Sequence, residues 1–255
     1  MNTRAVNVLR FLGGNAFLTK QIWDEVWTKP FYTQLVISQV QNIGVRSIPL
    51  IFVVAISVGM VMALQFGIGL EKFGGKLYIP KLVSVSIIRE LGPVFTSLMF
   101  TARVGAGITS EVASMVVTQQ IDAIRALGTS PIKKIVIPRV IGCLIALPIL
   151  CVFANTVGVL GGLLVGVTDL GLDFSFYLQK IQSSVRLTDY YSGFFKSFFF
   201  SFFVSIPACY LGLTTGRGTR GVGHATTLAV VTSSIFILVG DYFLTKLFWI
   251  FESWR

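Results

Sequence analysis

SIPLIFVVAISVGMVMALQFGIGL, residues 47–70, is a run of 24 residues without a charge. As an α-helix it would be about 36 Å long, enough to cross a bilayer core with some tilt. Within it Gly59, Ala63 and Gly67 recur every fourth residue. Such a small-residue stripe lets another helix approach closely. The run therefore predicts a membrane span that packs on a neighbour.

The rest of the chain has the same character. Of its 255 residues, 54% are apolar and 13% charged, and the mean hydropathy is +0.79. A soluble domain carries about 25% charge, so this chain has too little polar surface to coat a globule. Disorder is excluded because disordered chains are poor in apolar residues. At roughly 20 residues per crossing, plus connections, there is room for about five spans. The predicted fold is an all-α polytopic membrane protein: residues 1–46 as N-terminal helices and residues 47–255 as a five-span domain.

Residues 1–46 read as amphipathic. Phe17, Leu18, Ile22, Trp23, Val26 and Trp27 recur near helical spacing, with Lys20, Asp24, Glu25 and Lys29 between them. Tryptophans beside cations suit a helix lying in the membrane interface, and an ordinary cytoplasmic helix is the alternative. Pro30 breaks it, and a weaker helix is expected from about Phe31 to Gly44. The second span, Leu82 to about Ser114, is unusual because it carries Arg89, Glu90, Arg103 and Glu111. Its small stripe of Ala102, Ala106, Ser110 and Ser114 places it inside a bundle. A short amphipathic helix capped by Gly128 follows, with Pro131 just beyond. The third span is expected over Val140–Thr168, with Gly158, Gly162 and Gly166 spaced by four. Residues 169–196 read as a polar connection. The fourth span runs from Ser197 to about Gly216, and the fifth from about Ala225 to Phe251.

The net charge is +10. Nucleic-acid binding would cluster the cations on a soluble face, whereas here they lie between apolar runs. With the N-terminus in the cytoplasm, eleven Lys and Arg fall inside and eight outside. This is the expected sign for a membrane protein. Cys143, Cys151 and Cys209 all lie in apolar runs without metal-ligand spacing, so they read as packing residues. His224 stands alone, no Walker A pattern occurs, and no catalytic or metal-binding constellation appears.

Ionisable groups inside a span are costly and face a cavity or a partner. Arg89 and Glu90 fall in the outer half of the membrane. The planar fork of an arginine there suits a phosphate or carboxylate headgroup, and a buried pair locking two helices is the equal alternative. Pro93, four residues after Arg89, predicts a kink or opening. Arg103 and Glu111 are too far apart to pair with each other and read as structural charges that pair with another helix or subunit. Asp241 reads as an interfacial acid near Lys246, with a proton relay as the alternative.

The stretch SIIRELGPVFTSLMFTARVGAGITSEVASMVVTQQIDAIRALGTSPIKKIVIPRVIG, residues 86–142, resembles the central signature of the MlaE/YrbE permeases. GVGHATTLAVVTSS, residues 221–234, is similar to the family's C-terminal signature. The resemblance implies a homodimeric, non-enzymatic membrane subunit of a lipid-transporting ABC system. It implies cytoplasmic ATPase subunits that bind ATP and magnesium, and an MCE-domain protein on the other side. It needs no cofactor of its own. The helix at about Thr118–Leu127 would be the cytoplasmic coupling helix between spans two and three, with Gln119, Gln120, Asp122, Arg125 and Leu127 toward the ATPase. Relatives commonly carry a glutamate at the position of Gln119, so contact there would be uncharged. A lipid cavity at the dimer interface would be lined by Met62, Leu70, Phe73, Arg89, Glu90 and Leu91. The expected location is a bacterial inner membrane; the lack of a transit-peptide pattern disfavours a plastid inner envelope.

Other classes predict other features. An ion-coupled secondary transporter would use Asp241 or Glu90 and show inverted repeats, and no internal repeat is visible. An intramembrane enzyme needs convergent nucleophile, base or metal ligands. A passive anchor leaves the charged second span without a reason.

Overall fold

The computed structural model describes residues 3–216 and 218–253. Among these the chain is helical, with no strand. In chain order the helices are α1 (Thr3–Val26), α2 (Thr33–Gly44), α3 (Ile48–Glu71), α4 (Ile79–Ser86), α5 (Gly92–Phe100), α6 (Ala106–Val117), α7 (Gln120–Ala126), α8 (Ile137–Thr168), α9 (Phe174–Ser184), α10 (Leu187–Leu213) and α11 (Thr219–Ser253). Wider π-helical turns at Ile87–Leu91, Thr101–Gly105 and Ile132–Val136 join α4 to α5, α5 to α6, and the α7 loop to α8. Five helical runs are long and apolar enough to cross a membrane: Thr33–Glu71, Lys76–Val117, Ile132–Thr168, Leu187–Leu213 and Thr219–Phe251. In hydrocarbon such helical runs satisfy every backbone group within the segment.

Pro30 separates α1 from α2 as its missing N–H requires. The fourth span begins earlier than the sequence predicts. The supposed 169–196 connection holds α9 and the first ten residues of α10. Asp173 caps α9 by accepting the Phe176 N–H at 2.8 Å. The helix α10 is built polar-in and aromatic-out. Asp189, Ser192, Lys196, Ser197, Phe200, Ser201, Val204 and Ser205 are buried, whereas Phe194, Phe195, Phe198 and Phe199 are exposed. That inverted amphipathicity suits a helix whose outer face meets lipid.

The chain divides into two compact units. One comprises Met1–Val45, Phe100–Ala146 and Phe200–Ile237; the other comprises Arg46–Met99, Leu147–Phe199 and Leu238–Arg255. In the first, Gly14 of α1 lies against Tyr210, so that a Cβ would meet the ring. The Phe11 and Tyr210 rings are 5.7 Å apart. The buried face of α6 is Ile108, Thr109, Val112 and Ala113. The predicted stripe Ala102, Ala106, Ser110 and Ser114 is instead exposed or half-buried. Within this chain α6 therefore packs through its larger residues, because the groove it meets accepts them: Gly212 lies against Val112.

In the second unit the other two stripes pack as expected. A Cβ on Gly59 would strike the Gly158 carbonyl, and one on Gly162 would come within 2.6 Å of Val83 Cγ1. A buried cluster of Ala63, Ile79, Val83, Ile87 and Val165 forms the core, with Leu70 packed on it. Tyr177 of α9 is buried against Gly166, and its hydroxyl has no hydrogen-bond partner. Burial pushes the Tyr177 phenol well above its ordinary pKa. The three cysteines are free and buried.

Candidate functional site

The second unit gathers five charges from three helical segments at the turn Ile87–Leu91, α10 and α11. The wider π-turn displaces the helix surface, and such turns recur at functional sites. Gly92 follows it, where a Cβ would meet both Asn155 Oδ1 and the Ile87 carbonyl oxygen. Pro93 then enters α5 without needing an N–H partner.

Arg89 and Glu90 take separate partners rather than each other. The Arg89 Nη1 lies 3.3 Å from Asp189 Oδ1 of α10. The Asp189 Oδ2 accepts the Arg186 backbone N–H at 2.8 Å, which fixes that carboxylate at the start of α10. Glu90 pairs with Lys196 Nζ, and Lys196 is 0% exposed. The same ammonium donates to the Arg89 carbonyl at 3.2 Å and to Thr245 Oγ1 at 2.7 Å. Thr245 stands 3.2 Å from Glu90 Oε2 and donates to the Asp241 carbonyl at 2.8 Å. Asp241 Oδ1 lies 3.1 Å from Nζ and completes the ion cluster.

A buried, unpaired ammonium would be prohibitively costly, so Lys196 needs this surround. It ties the turn Ile87–Leu91, the middle of α10 and the late part of α11 into one knot. Arg89 keeps 28% of its side chain accessible and Glu90 36%. Those two can meet an incoming polar group, whereas Lys196 cannot. Ile87 and Leu91, on the same turn, line a narrow apolar cleft with Ile51, Val58, Phe95 and Met99. One turn therefore supplies both a charged pair and an apolar wall.

The predicted residues distribute as follows. Leu91 lines that cleft, and Arg89 and Glu90 flank it in the chain. Met62 is half-buried, Leu70 packs into the core, and Phe73 is 84% exposed beyond the end of α3. Met62, Leu70 and Phe73 do not line the cleft. Asp241, expected near Lys246 at the interface, sits on Lys196, and Lys196, expected in a connecting loop, is the centre of the cluster. The signal for Lys196 was its place on the polar stripe Asp189, Ser192, Lys196, Ser197, Ser201 of α10. The structural charges lie in the first unit. Glu111 pairs with the buried Arg139 of α8 at 2.9 Å, and Arg103 is half-buried in the turn Thr101–Gly105.

The predicted coupling segment is α7. Gln119 holds the turn before it at φ +59°, a left-handed conformation uncommon for a residue with a side chain. Ile121 is buried, anchoring α7 to its own chain. Gln120 is exposed, and Asp122 and Arg125 form an exposed pair at 3.3 Å. Leu127 is 81% exposed. Gly128 closes the helix at φ +73°, and its N–H bonds the Arg125 carbonyl at 2.9 Å. Among the described residues no group of His, Cys, Asp and Glu could hold a metal ion.

The sequence matches the family described as Permease MlaE over residues 36–247. It is 41% identical over 245 residues to a probable ABC transporter permease protein of Rickettsia conorii, covering 96% of this chain and 95% of that one. It is 32% identical over 214 residues to the intermembrane phospholipid transport system permease protein MlaE of Haemophilus influenzae, covering 84% and 82%. It is 32% identical over 212 residues to the chloroplastic protein TRIGALACTOSYLDIACYLGLYCEROL 1 of Arabidopsis thaliana, covering 83% of this chain and 61% of that one. With the match running from α2 through all five candidate spans into the late part of α11, the chain belongs to the MlaE permease family.

Proposed function

We propose that this chain is the membrane permease subunit of an ABC transporter that moves phospholipids or related lipids between the inner membrane and another envelope layer. The observation that carries this reading is the family match across every candidate span. The Haemophilus relative named for intermembrane phospholipid transport adds support. The geometry agrees in kind: a lipid needs an apolar wall for its chains and a charged group for its headgroup, and the turn Ile87–Leu91 carries both.

In this reading the N-terminus is cytoplasmic and two copies of the chain enclose the lipid cavity. An MCE-domain protein receives or delivers the lipid on the far side. ATP and magnesium are bound by separate ATPase subunits, and this chain hydrolyses nothing. Closure of the ATPases pushes on α7, the second span carries the push as a rigid element, and the cavity between the copies collapses. Arg89 and Glu90 hold the headgroup.

The test is purification in mild detergent, identification of co-purifying proteins, and transfer of a fluorescent phospholipid between vesicles. Transfer should require ATP, and Arg89→Ala with Glu90→Ala should abolish it while the purified variant still melts cooperatively. Transfer driven by a proton gradient without ATP would overturn the reading. Normal transfer by the double variant would remove the site assignment.

A further inference from the structure

The end of α1 is tied to the loop that follows α7, at two points in the same register. Ser130 Oγ donates to Glu25 Oε2 at 2.6 Å, and Lys133 Nζ donates to Thr28 Oγ1 at 2.8 Å. Each contact joins residues 105 apart in the chain. The Thr28 hydroxyl in turn donates to the Glu25 carbonyl at 2.9 Å, so the two points are linked through the last turn of α1. The first bond is short because its acceptor is ionised, which makes it stronger than a neutral pair. Between α1 and the turn Ile132–Val136 lies a narrow crevice lined by Val26, Pro30, Tyr32, Val36, Ile137 and others.

This placement is informative because of what each side is attached to. Residues 127–132 form the short path from α7 into α8. On the other side, Phe17 and Trp23 of α1 and Trp27 just after it are exposed, the surface an interface-seated helix needs. Neither polar contact is required to close α7, which is capped by Gly128 and anchored by Ile121. The contacts instead connect α7's exit to a helix seated elsewhere.

We propose that Glu25, Thr28, Ser130 and Lys133 form a clasp through which the interface-seated α1 braces the exit of α7. A push on α7 then passes into α8 instead of being lost in bending of the 127–132 loop. These are positioning residues. The proposal rests on the reading of α7 as the ATPase-docking helix, and its structural part can be tested without that reading.

The full-length permease is reconstituted in phospholipid nanodiscs, and in vesicles together with its co-purifying ATPase. Ser130→Ala with Lys133→Met removes both donors; Ser130→Thr keeps the first hydroxyl. Hydrogen exchange is followed at the amides of residues 124–134. Losing two hydrogen bonds, each with one charged partner, should speed exchange there by about tenfold or more. Lipid transferred per ATP hydrolysed should fall in the same variant, with ATPase capture unchanged, and Ser130→Thr should stay near the parent in both. Unchanged exchange would overturn the clasp. Faster exchange with unchanged lipid transferred per ATP would overturn its coupling role. If Leu127→Asp still captures the ATPase, the docking assignment fails while the exchange result continues to judge the clasp.

Discussion

Replacing Lys196 with methionine isolates what the charge cluster contributes. The ammonium is wholly buried and faces Glu90, Asp241, Thr245 and the Arg89 carbonyl. Methionine fills a similar volume but leaves two carboxylates facing each other without a cation. Removing one partner of a buried pair costs about 3–5 kcal/mol, because the remaining charge is stranded. Glu90 is 36% exposed and Asp241 21%, so solvent screens part of this. The lower end, about 3 kcal/mol, is the expected cost. At roughly 2–4 °C per kcal/mol for a chain of this size, the melting temperature should drop by roughly 6–12 °C. The assay is thermal unfolding in detergent, read by intrinsic fluorescence and by loss of the monodisperse chromatographic peak. The informative comparison is the triple variant Lys196→Met, Glu90→Gln, Asp241→Asn. It removes all three charges and should recover to within about 1 kcal/mol of the parent, since a neutral packed core replaces a buried ionic one at little cost. A single variant that melts with the parent, or a triple variant that melts below the single one, would refute the assignment of Lys196 as a charge-compensated centre.

Three further outcomes follow from the packing. Gly59→Ala should lower the melting temperature, because its Cβ would strike the Gly158 backbone and cost about 1–3 kcal/mol; Gly69→Ala, with nothing near its Cβ, should be neutral or slightly stabilising in the same assay. Tyr177→Phe should raise the melting temperature slightly, by the equivalent of about 1 kcal/mol, because it removes a buried hydroxyl that has no partner. Leu127→Asp should leave melting within about 0.5 kcal/mol of the parent, since the side chain is exposed, while reducing ATPase capture in a pull-down.

Much of this was legible in the sequence. Hydropathy counts spans well because lipid admits only helices and closed barrels, and runs of roughly 20 apolar residues fit the helix, so the run at 47–70 and its three apolar successors announce themselves. Glycines at intervals of four marked the faces of α3 and α8 that meet. Gly128 and Pro131 bounded α7 to within a residue or two. Arg89 and Glu90 stood out because charge inside a span is costly.

Other features were not legible, for physical reasons that differ. Lys196 looked like the end of a loop because one cation shortens any apolar window that contains it. The window cannot tell that the cation is buried on the inner face of an aromatic-coated helix. The partners of Glu90 lie more than a hundred residues away, and no local pattern pairs Glu90 with Lys196 or Lys196 with Asp241. The stripe Ala102, Ala106, Ser110, Ser114 met the same spacing rule as the glycine stripes but stays on the accessible side. Spacing defines a face without choosing the neighbour.

By itself, then, the sequence determined the membrane class, the number of crossings and the segments that carry unusual charge, because each depends on local transfer energy. Only the tertiary structure decided which charges meet. Compensation of a buried ion is set by the three-dimensional placement of its partners: α10 brings the ammonium, the turn Ile87–Leu91 brings Glu90 and the Arg89 carbonyl, and α11 brings Thr245 and Asp241.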